Sequence, residues 1–260
     1  TMRALEATYH TTQHRIVDLL DADTQGLAQQ TAVPACPDWS VHDVISHTTG
    51  ICADILAGNI GGAATSEWTD AQVTARRGLS SGEVLEEWNQ VGSKLAALLD
   101  DFPGRYGDQL VADLAVHEHD LRGALGRPGE RDTEAVRCAV EFLITTLIHP
   151  GAIALGLGPL EIRTEDRRWV VGTGEPPTGD AKGAFSAAVS SPTTADQPLR
   201  CQPVATLEAS AFDLFRAATG RRSREQIGRL GWSANPGAYL ALFDLWPFTL
   251  RNDDLVEPMP

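Results

Sequence analysis

The fold of this chain is decided first by residues 34–47, which read PACPDWSVHDVISH. Two prolines interrupt regular structure, and Ser40 and Asp43 then have the spacing of a capping box. In that motif a hydroxyl and a carboxylate three residues later each accept a hydrogen bond from a backbone N–H at the helix start. Apolar residues follow at helical spacing as far as Gly58, a residue type common at helix ends. The stretch predicts a helix from Ser40 to Gly58 that carries His47 on its second turn.

Further helices are predicted around this one. Apolar spacing and cap residues place them at Met2–Leu20, from Ser81 to Leu98, at Asp108–Leu125 and at Thr133–Leu147. Gly126 is predicted to end the fourth helix, and His149-Pro150-Gly151 to end the fifth. Residues 61–78 are predicted as a looser region. Helices with short to medium connections favour an antiparallel bundle.

The pattern changes near residue 152. Residues 160–164 and 168–171 have strand composition and predict a hairpin, and residues 205–209 predict a third strand. A helix that begins at Ser210 and ends at Gly220 should follow, with one or two more in residues 223–245. Residues 172–198, rich in Gly, Pro, Ala and Ser, predict a loop or poorly ordered insert. We therefore expect an α+β protein, with a helical bundle at 1–152 and a smaller α+β domain at 153–260.

The composition is that of a globular protein, with 42% hydrophobic and 22% charged residues. The formal net charge is −14, from 35 acidic and 21 basic residues. A nucleic-acid backbone or an anionic membrane surface is recognised by clustered Lys and Arg, so the charge argues against both partners.

The cysteines and the hydropathy indicate a reducing compartment. Cys36, Cys52, Cys138 and Cys201 show no CxxC spacing, which argues against a disulfide framework and against a zinc knuckle. No run approaches the roughly 18–20 apolar residues of a membrane span. The segment Met2–Leu20 is too polar for a signal peptide. We expect a cytoplasmic protein.

One metal site is suggested by helical spacing. Asp113 and His117 are four residues apart and so lie on one face of the predicted fourth helix. His47 lies on a neighbouring helix, and a bundle can bring such donors together. Two imidazoles and one carboxylate suit Zn²⁺, Fe²⁺ or Ni²⁺ and leave coordination positions open. Asp120 and Asp43 are the candidates to accept the second ring N–H of the two histidines.

A rival metal site has less support. His10 and His14 are also four residues apart, with Asp18 one turn further along the chain. Their neighbours are mostly polar, which is typical of a solvated helix face. Metal binding there stays an alternative.

Three residues near the predicted site have other interpretations. His119 is two residues from His117 and should point to nearly the opposite face. Glu118 is predicted to be solvated rather than catalytic. Cys36, between an alanine and a proline just before a helix start, is either a reactive thiol or an ordinary packed side chain.

Two pairs of arginines are candidates to bind a substrate. Arg76 and Arg77 precede the predicted third helix, and Arg221 and Arg222 follow the helix stop at Gly220. Paired guanidinium groups can bind a carboxylate through parallel hydrogen bonds. Ordinary surface charges are the alternative interpretation.

Several segments together resemble one protein family. Residues 36–47 and 113–128 are similar to the two signatures of the mycothiol-dependent maleylpyruvate isomerase family, and residues 69–77, 219–223 and 230–232 also fit its pattern. The resemblance implies a DinB-like four-helix bundle followed by a small C-terminal domain. It also implies a metal, typically zinc, on His47, Asp113 and His117. The family has Glu where this chain has Asp113, a difference of one methylene, or roughly 1.5 Å.

The resemblance further implies a thiol-dependent metalloenzyme. Its cosubstrate would be mycothiol, the low-molecular-weight thiol of actinobacteria, and its substrate a small electrophile whose carboxylate is held by Arg76 or Arg77 together with Arg221 or Arg222. The reaction would be S-transfer or cis–trans isomerisation, by a monomer or a small homo-oligomer. A metal-containing binding or regulatory module without turnover is the alternative, and metal-dependent hydrolysis is a third possibility.

Overall fold

The computed structural model of the protein describes residues 4–21, 28–174, 181–191 and 202–259. The chain divides into two compact units. The first consists of Thr1–Phe102, Asp113–Gly129 and Glu257–Pro260, and the second of Pro103–Ala112 and Glu130–Val256. The first unit is mainly helical and the second combines helices with a sheet, so the α+β prediction is confirmed. The predicted domain boundary at residue 152 stays a prediction.

The first unit is a helical bundle with a short two-stranded ribbon. Its elements are α1 (Ala4–Asp21), β1 (Ala32–Val33), β2 (Cys36–Ser40), α2 (Val41–Ala57), α3 (Ser66–Arg76), α4 (Ser81–Ala96) and the part of α5 (Tyr106–Ala124) from Asp113 onward. Helix α2 packs against α3 and α4, and α1 packs against α4. The core is filled by large apolar side chains from these helices, among them Ile16, Ile45, Trp88 and Leu121.

The start of α2 has the predicted capping box. Ser40 Oγ accepts a hydrogen bond from the backbone N–H of Asp43, and Asp43 Oδ2 accepts one from the N–H of Ser40 at 2.9 Å. The helix ends at Gly58, whose φ of 74° is the left-handed conformation that glycine adopts without strain. Because local sequence signals set both ends of α2, the position of His47 along this helix follows from the sequence.

Two local predictions in this unit were wrong. Residues 61–78 contain helix α3, whose buried face is Gln72, Val73 and Arg76 and so has little apolar character to reveal it. The N-cap of α4 is Ser80 rather than Ser81, because Ser80 forms the capping box with Glu83.

The second unit combines a four-stranded sheet with helices. It contains α6 (Glu134–Leu143), α7 (His149–Ala154), β3 (Leu160–Arg163), β4 (Arg168–Val171), α8 (Ala181–Ser190), β5 (Ala205–Glu208), α9 (Ala211–Ala218), α10 (Arg224–Gly228) and β6 (Gly231–Trp232). The strand order is β4-β3-β5-β6, with β3 antiparallel to β4 and parallel to β5. The predicted hairpin and third strand are confirmed. Strand β6 is too short to be recognised from sequence.

The predicted insert at 172–198 contains a helix. Helix α8 lies within it and buries Phe185 and Val189, while residues 175–180 and 192–198 lie outside the described part of the chain. A loop was predicted because this helix consists mostly of small residues. Only Phe185 and Val189 provide large apolar side chains, too few to show helical spacing.

The predicted stop at His149-Pro150-Gly151 was also wrong. A π-helical turn, Ile144–Ile148, connects α6 directly to α7, and Pro150 lies in the first turn of α7. Pro150 has no backbone N–H to donate within the helix, and π-helical turns are one of the irregularities found inside long helices.

The continuous helix formed by α6, the π-helical turn and α7 is long and apolar, although no apolar run of membrane-spanning length was predicted. Glu134–Ala154 has 21 residues and a mean hydropathy of 1.3 over its best window, so by length and composition alone it is able to cross a membrane. Of that window, 56% is buried within the protein. Such burial is typical of a core helix, and it makes this weak evidence for a membrane span.

Candidate metal centre

His47 is held by a hydrogen-bonded pair of polar residues. Its Nδ1 lies 2.8 Å from Gln72 Oε1, and Gln72 Nε2 donates to Asp54 Oδ2 at 2.7 Å. The bond to Asp54 fixes the amide so that its oxygen faces the imidazole. His47 therefore carries its proton on Nδ1, and Nε2 is the nitrogen whose lone pair can bind a cation.

The close approach of Gln72 depends on a glycine in α2. A Cβ atom at Gly50 would lie 2.5 Å from Cβ of Gln72 and 3.0 Å from a guanidinium nitrogen of Arg76. Because real Cβ atoms do not come so close to other carbons, only glycine lets α3 approach α2 here.

Asp113 and His117 lie on one face of α5, as their spacing predicts. His117 Nε2 is 3.8 Å from Asp113 Oδ1, and His117 Nδ1 is 3.3 Å from Asp120 Oδ2. Asp120 thus lies at the second nitrogen of its histidine, as expected. The corresponding expectation for Asp43 was wrong, because that carboxylate caps α2 and Gln72 takes its place.

The three predicted ligands come together within the first unit. One donor atom from each of His47, Asp113 and His117 lies within 4.8 Å of the other two. Two ligands of a tetrahedral zinc ion, each about 2.0–2.1 Å from the metal, are about 3.4 Å apart, so only small side-chain rotations separate this arrangement from coordination. The histidines are 5–7% exposed, whereas the Asp113 side chain is 38% exposed. The donor set fits a divalent cation that is open to solvent on the Asp113 side.

Trp39 packs against both histidines. Its indole centroid is 5.0 Å from the ring of His47 and 6.1 Å from that of His117, whose own rings are 5.1 Å apart and nearly perpendicular. The aromatic ring restricts the rotation of both imidazoles. A role for Trp39 was not predicted, although this residue lies in the segment immediately before α2.

The charges around His117 favour its protonated form when no cation is bound. Burial alone lowers the pKa of an imidazole, but the negative charge of Asp113 and the contacts with Asp120 and Cys36 outweigh this and raise the pKa to about 10. The surroundings are therefore built to neutralise a positive charge, which a proton or a metal ion can supply.

The first unit also contains a buried group of neutral side chains joined by hydrogen bonds. The hydroxyl of Tyr9 is 3.0 Å from Cys52 Sγ and accepts a hydrogen bond from Trp88 Nε1 at 3.2 Å. Burial raises the pKa of Cys52 to about 11 and that of Tyr9 well above its usual value, with a smaller effect of the Asp113 charge on both. Both groups stay protonated at neutral pH, so neither is a ready nucleophile.

The rival histidines lie elsewhere in the first unit. His14 and Asp18 are exposed, and neither they nor His10 belong to a metal-capable group among the residues that the structure describes. His42 bonds Ser81 Oγ at 3.0 Å and the carbonyl of Arg76 at 3.2 Å.

Glu118 is fully buried, which contradicts the prediction of a solvated side chain. Arg15 donates to both of its carboxylate oxygens, at 2.8 and 2.7 Å, and Arg122 donates to Oε1 at 3.0 Å. This burial was not predictable from the sequence, because one partner, Arg15, lies 103 residues earlier on α1. The other, Arg122, lies one turn later on α5.

The predicted substrate arginines differ in how they are engaged. Arg76 is buried and donates to both carboxylate oxygens of Glu87 and to the carbonyl of Gln72. Arg77 is exposed and makes no ion pair with any described residue.

The other pair lies in the second unit. Arg221 donates to the carbonyl of Thr219 at 2.7 Å, and Arg222 to Asp213 Oδ1 at 3.2 Å. Each of these guanidinium groups therefore has a structural partner.

The family comparison covers the whole of this site. Residues 9–133 match the model of the mycothiol maleylpyruvate isomerase N-terminal domain. No curated protein and no solved structure is significantly similar to the chain. The matched segment contains all three predicted metal ligands together with Trp39 and Gln72. Residues 9–133 of this chain belong to the mycothiol maleylpyruvate isomerase N-terminal domain family.

Proposed function

We propose that this protein is a metal-dependent enzyme that uses mycothiol as cosubstrate. The observation that carries the proposal is the convergence of His47, Asp113 and His117 within a segment that belongs to a mycothiol-related isomerase family. Zinc suits two imidazoles and one carboxylate, and three protein ligands leave a position for an incoming molecule. When bound, the cation would supply the positive charge that lowers the pKa of a coordinating thiol.

The residues of the chain hold this site in shape. Gln72 keeps the proton of His47 on Nδ1, and Asp120 lies at Nδ1 of His117. Trp39 covers the two rings, whereas the partly exposed Asp113 marks the side from which a thiol and its substrate would enter. The negative charges of Asp113 and Asp120 would favour the cation itself, and only with that cation in place would an entering thiol be stabilised as a thiolate, its proton passing to solvent.

The reaction class is addition of the thiol sulfur to an electrophilic carbon. If the carbon–sulfur bond persists, a leaving group departs or the adduct takes up a proton, and the enzyme is an S-transferase. Should the bond break again after rotation about the former double bond, the thiol is regenerated and the result is cis–trans isomerisation. A carboxylate on the substrate would be bound by Arg77, the exposed member of the predicted arginines.

Metal content tests the first part of the proposal. Elemental analysis of the purified protein, loaded with zinc and then desalted, should give about one equivalent fewer for His47→Ala than for the wild type, and no zinc for His117→Ala, whose side chain belongs to both metal-capable groups. His14→Ala, which changes an exposed histidine of α1, is the matched control and should retain the metal. A wild type that stays metal-free in zinc, iron and nickel salts would overturn the proposal.

Thiol dependence tests the second part and separates the alternatives. Turnover of electrophiles such as activated alkenes should require mycothiol and stop when it is omitted. Turnover without thiol would favour metal-dependent hydrolysis. The binding-module alternative has support from Arg76, Arg221 and Arg222, which all have structural partners, and it predicts ligand-induced stabilisation without product.

A further inference from the structure

Nδ1 of His117 faces a second group of donor atoms, distinct from the group formed with His47 and Asp113. His117 Nδ1 lies 3.3 Å from Asp120 Oδ2, and the same oxygen accepts a hydrogen bond from Cys36 Sγ at 3.5 Å. One donor atom from each of these three residues lies within 4.8 Å of the other two. A thiol, an imidazole nitrogen and a carboxylate thus converge on one point, at the ring nitrogen that the centre with Asp113 does not use.

The nitrogen at this point is buried and incompletely satisfied. His117 is 5% exposed and Asp120 is 1% exposed. His117 Nδ1 has no hydrogen bond of acceptable geometry within the described part of the chain, because its contact with Asp120 has only the length of an ion pair. In the metal-free protein a proton on this nitrogen pairs with the Asp120 carboxylate, and a cation placed between the two atoms would replace that proton.

The thiol is held in place by local structure. Cys36 begins β2 and pairs with Val33 of β1, so its backbone position is set by the ribbon. Its side chain is half-buried, which leaves a route for a cation from solvent. Asp120 follows His117 by one turn of α5, which fixes the distance between the other two donors.

We propose that Cys36, His117 and Asp120 form a second cation site, which takes thiophilic divalent ions such as Cd²⁺. Sulfur, nitrogen and oxygen donors of this kind suit Zn²⁺ and Cd²⁺ and disfavour Mg²⁺ and Ca²⁺. On binding, the Cys36 thiol releases its proton to solvent and forms the sulfur–metal bond, without any change of oxidation state. The two sites use different nitrogens of one ring. Cations at both sites at once would therefore require the His117 ring to lose both of its N–H protons.

Cadmium-113 NMR of the full-length protein tests the site directly. Sulfur-ligated cadmium resonates far downfield of cadmium bound only by nitrogen and oxygen. The wild type should give a sulfur-ligated signal, and Cys36→Ser should lose it. Cys138→Ser is the matched control, since Cys138 is also half-buried but belongs to neither metal-capable group, and it should keep the signal.

A labelling experiment on the wild type tests the same proposal without depending on the fold of a variant. Bound cadmium should slow alkylation of Cys36 by iodoacetamide at least tenfold, as followed by mass spectrometry of the peptide that contains it. An unchanged labelling rate at saturating cadmium, a sulfur-ligated signal that survives in Cys36→Ser, or no such signal in the wild type would each overturn the proposal.

The His47→Ala variant separates this site from the proposed catalytic centre. Removal of His47 should abolish the centre with Asp113 and leave the sulfur-ligated cadmium signal in place. The second site would then stand even if the proposed enzymatic function failed. Loss of the sulfur-ligated signal in His47→Ala would show that there is a single site, which contradicts the proposal.

Discussion

Gln72 determines which nitrogen of His47 can bind a metal. Its Oε1 accepts a hydrogen bond from Nδ1 at 2.8 Å, and Asp54 in turn accepts one from its Nε2. Partners of this kind orient a ligand and raise its basicity, and their loss typically costs about 10- to 100-fold in metal affinity. All three residues lie on α2 and α3 of the first unit.

We expect Gln72→Ala to weaken zinc binding by about that factor while the fold is retained. Competition with a chromogenic chelator measures the dissociation constant. Gln90→Ala, on the exposed face of α4, is the matched control and should bind zinc like the wild type. Equal affinities for the two variants would contradict the role assigned to Gln72.

The carboxylate at position 113 provides a second prediction. Asp113→Asn removes the negative charge but keeps the shape, so zinc affinity should fall by at least about tenfold. Asp113→Glu restores the residue that the family pattern has here and should still bind, since the added methylene of roughly 1.5 Å lies on the exposed side. Isothermal titration calorimetry measures both, with the exposed Asp70→Asn as control. Binding by Asp113→Asn as tight as that of the wild type would exclude Asp113 as a ligand.

Protonation of His117 predicts how the metal-free protein responds to pH. The pKa of about 10 in the folded state is higher than the ordinary value of about 6.5 that applies when the chain is unfolded. Between these values the folded state binds the extra proton, so its stabilising effect is complete below pH 6.5 and is lost as the pH rises toward 10. The free energy of unfolding should fall by up to about 1.4 kcal/mol per pH unit in this window.

Urea unfolding in the presence of a chelator, from pH 6.5 to 9.5, measures this dependence. His117→Gln should remove most of the slope, because glutamine does not titrate. A wild type whose stability is constant over this range would show that the neighbouring carboxylates do not hold a proton on His117.

The sequence predicted the parts of this structure that depend on local pattern. The capping box at Ser40, the helical spacing of Asp113 and His117 and the strand composition of residues 160–171 all report nearby backbone conformation, and each prediction is confirmed. Spacing also placed His47 on a second helix, but its approach to His117 depends on packing between α2 and α5. The resemblance to a family supplied that information.

Contacts between residues far apart in the chain could not be predicted from the sequence. Helix α3 buries polar side chains, so its apolar pattern is too weak to predict a helix, and Gln72 could not be linked to His47. The burial of Glu118 depends on Arg15, which is 103 residues earlier in the chain. A charged residue next to polar neighbours is usually solvated, and only the tertiary structure shows this exception.

The predicted arginines can be separated by experiment. Arg76→Ala leaves Glu87 without its two hydrogen bonds, so the variant should lose about 2 kcal/mol of stability. Arg77→Ala removes an exposed side chain and should change stability by less than about 0.5 kcal/mol. If Arg77 binds the substrate carboxylate, its variant should raise the KM for a carboxylate-bearing substrate and leave the Tm unchanged. A KM effect confined to Arg76→Ala would reverse this assignment.

The buried ion pair at Glu118 gives the last prediction. Glu118→Gln leaves Arg15 and Arg122 facing a neutral amide in a protein interior, and loss of one partner of a buried ion pair costs about 3–5 kcal/mol. Urea unfolding of the variant should show a loss of this size. Glu86→Gln, at an exposed position on α4, is the control and should be within about 0.5 kcal/mol of the wild type. Equal losses for the two variants, or none for Glu118→Gln, would mean that the arginines are neutralised by other groups in the bundle.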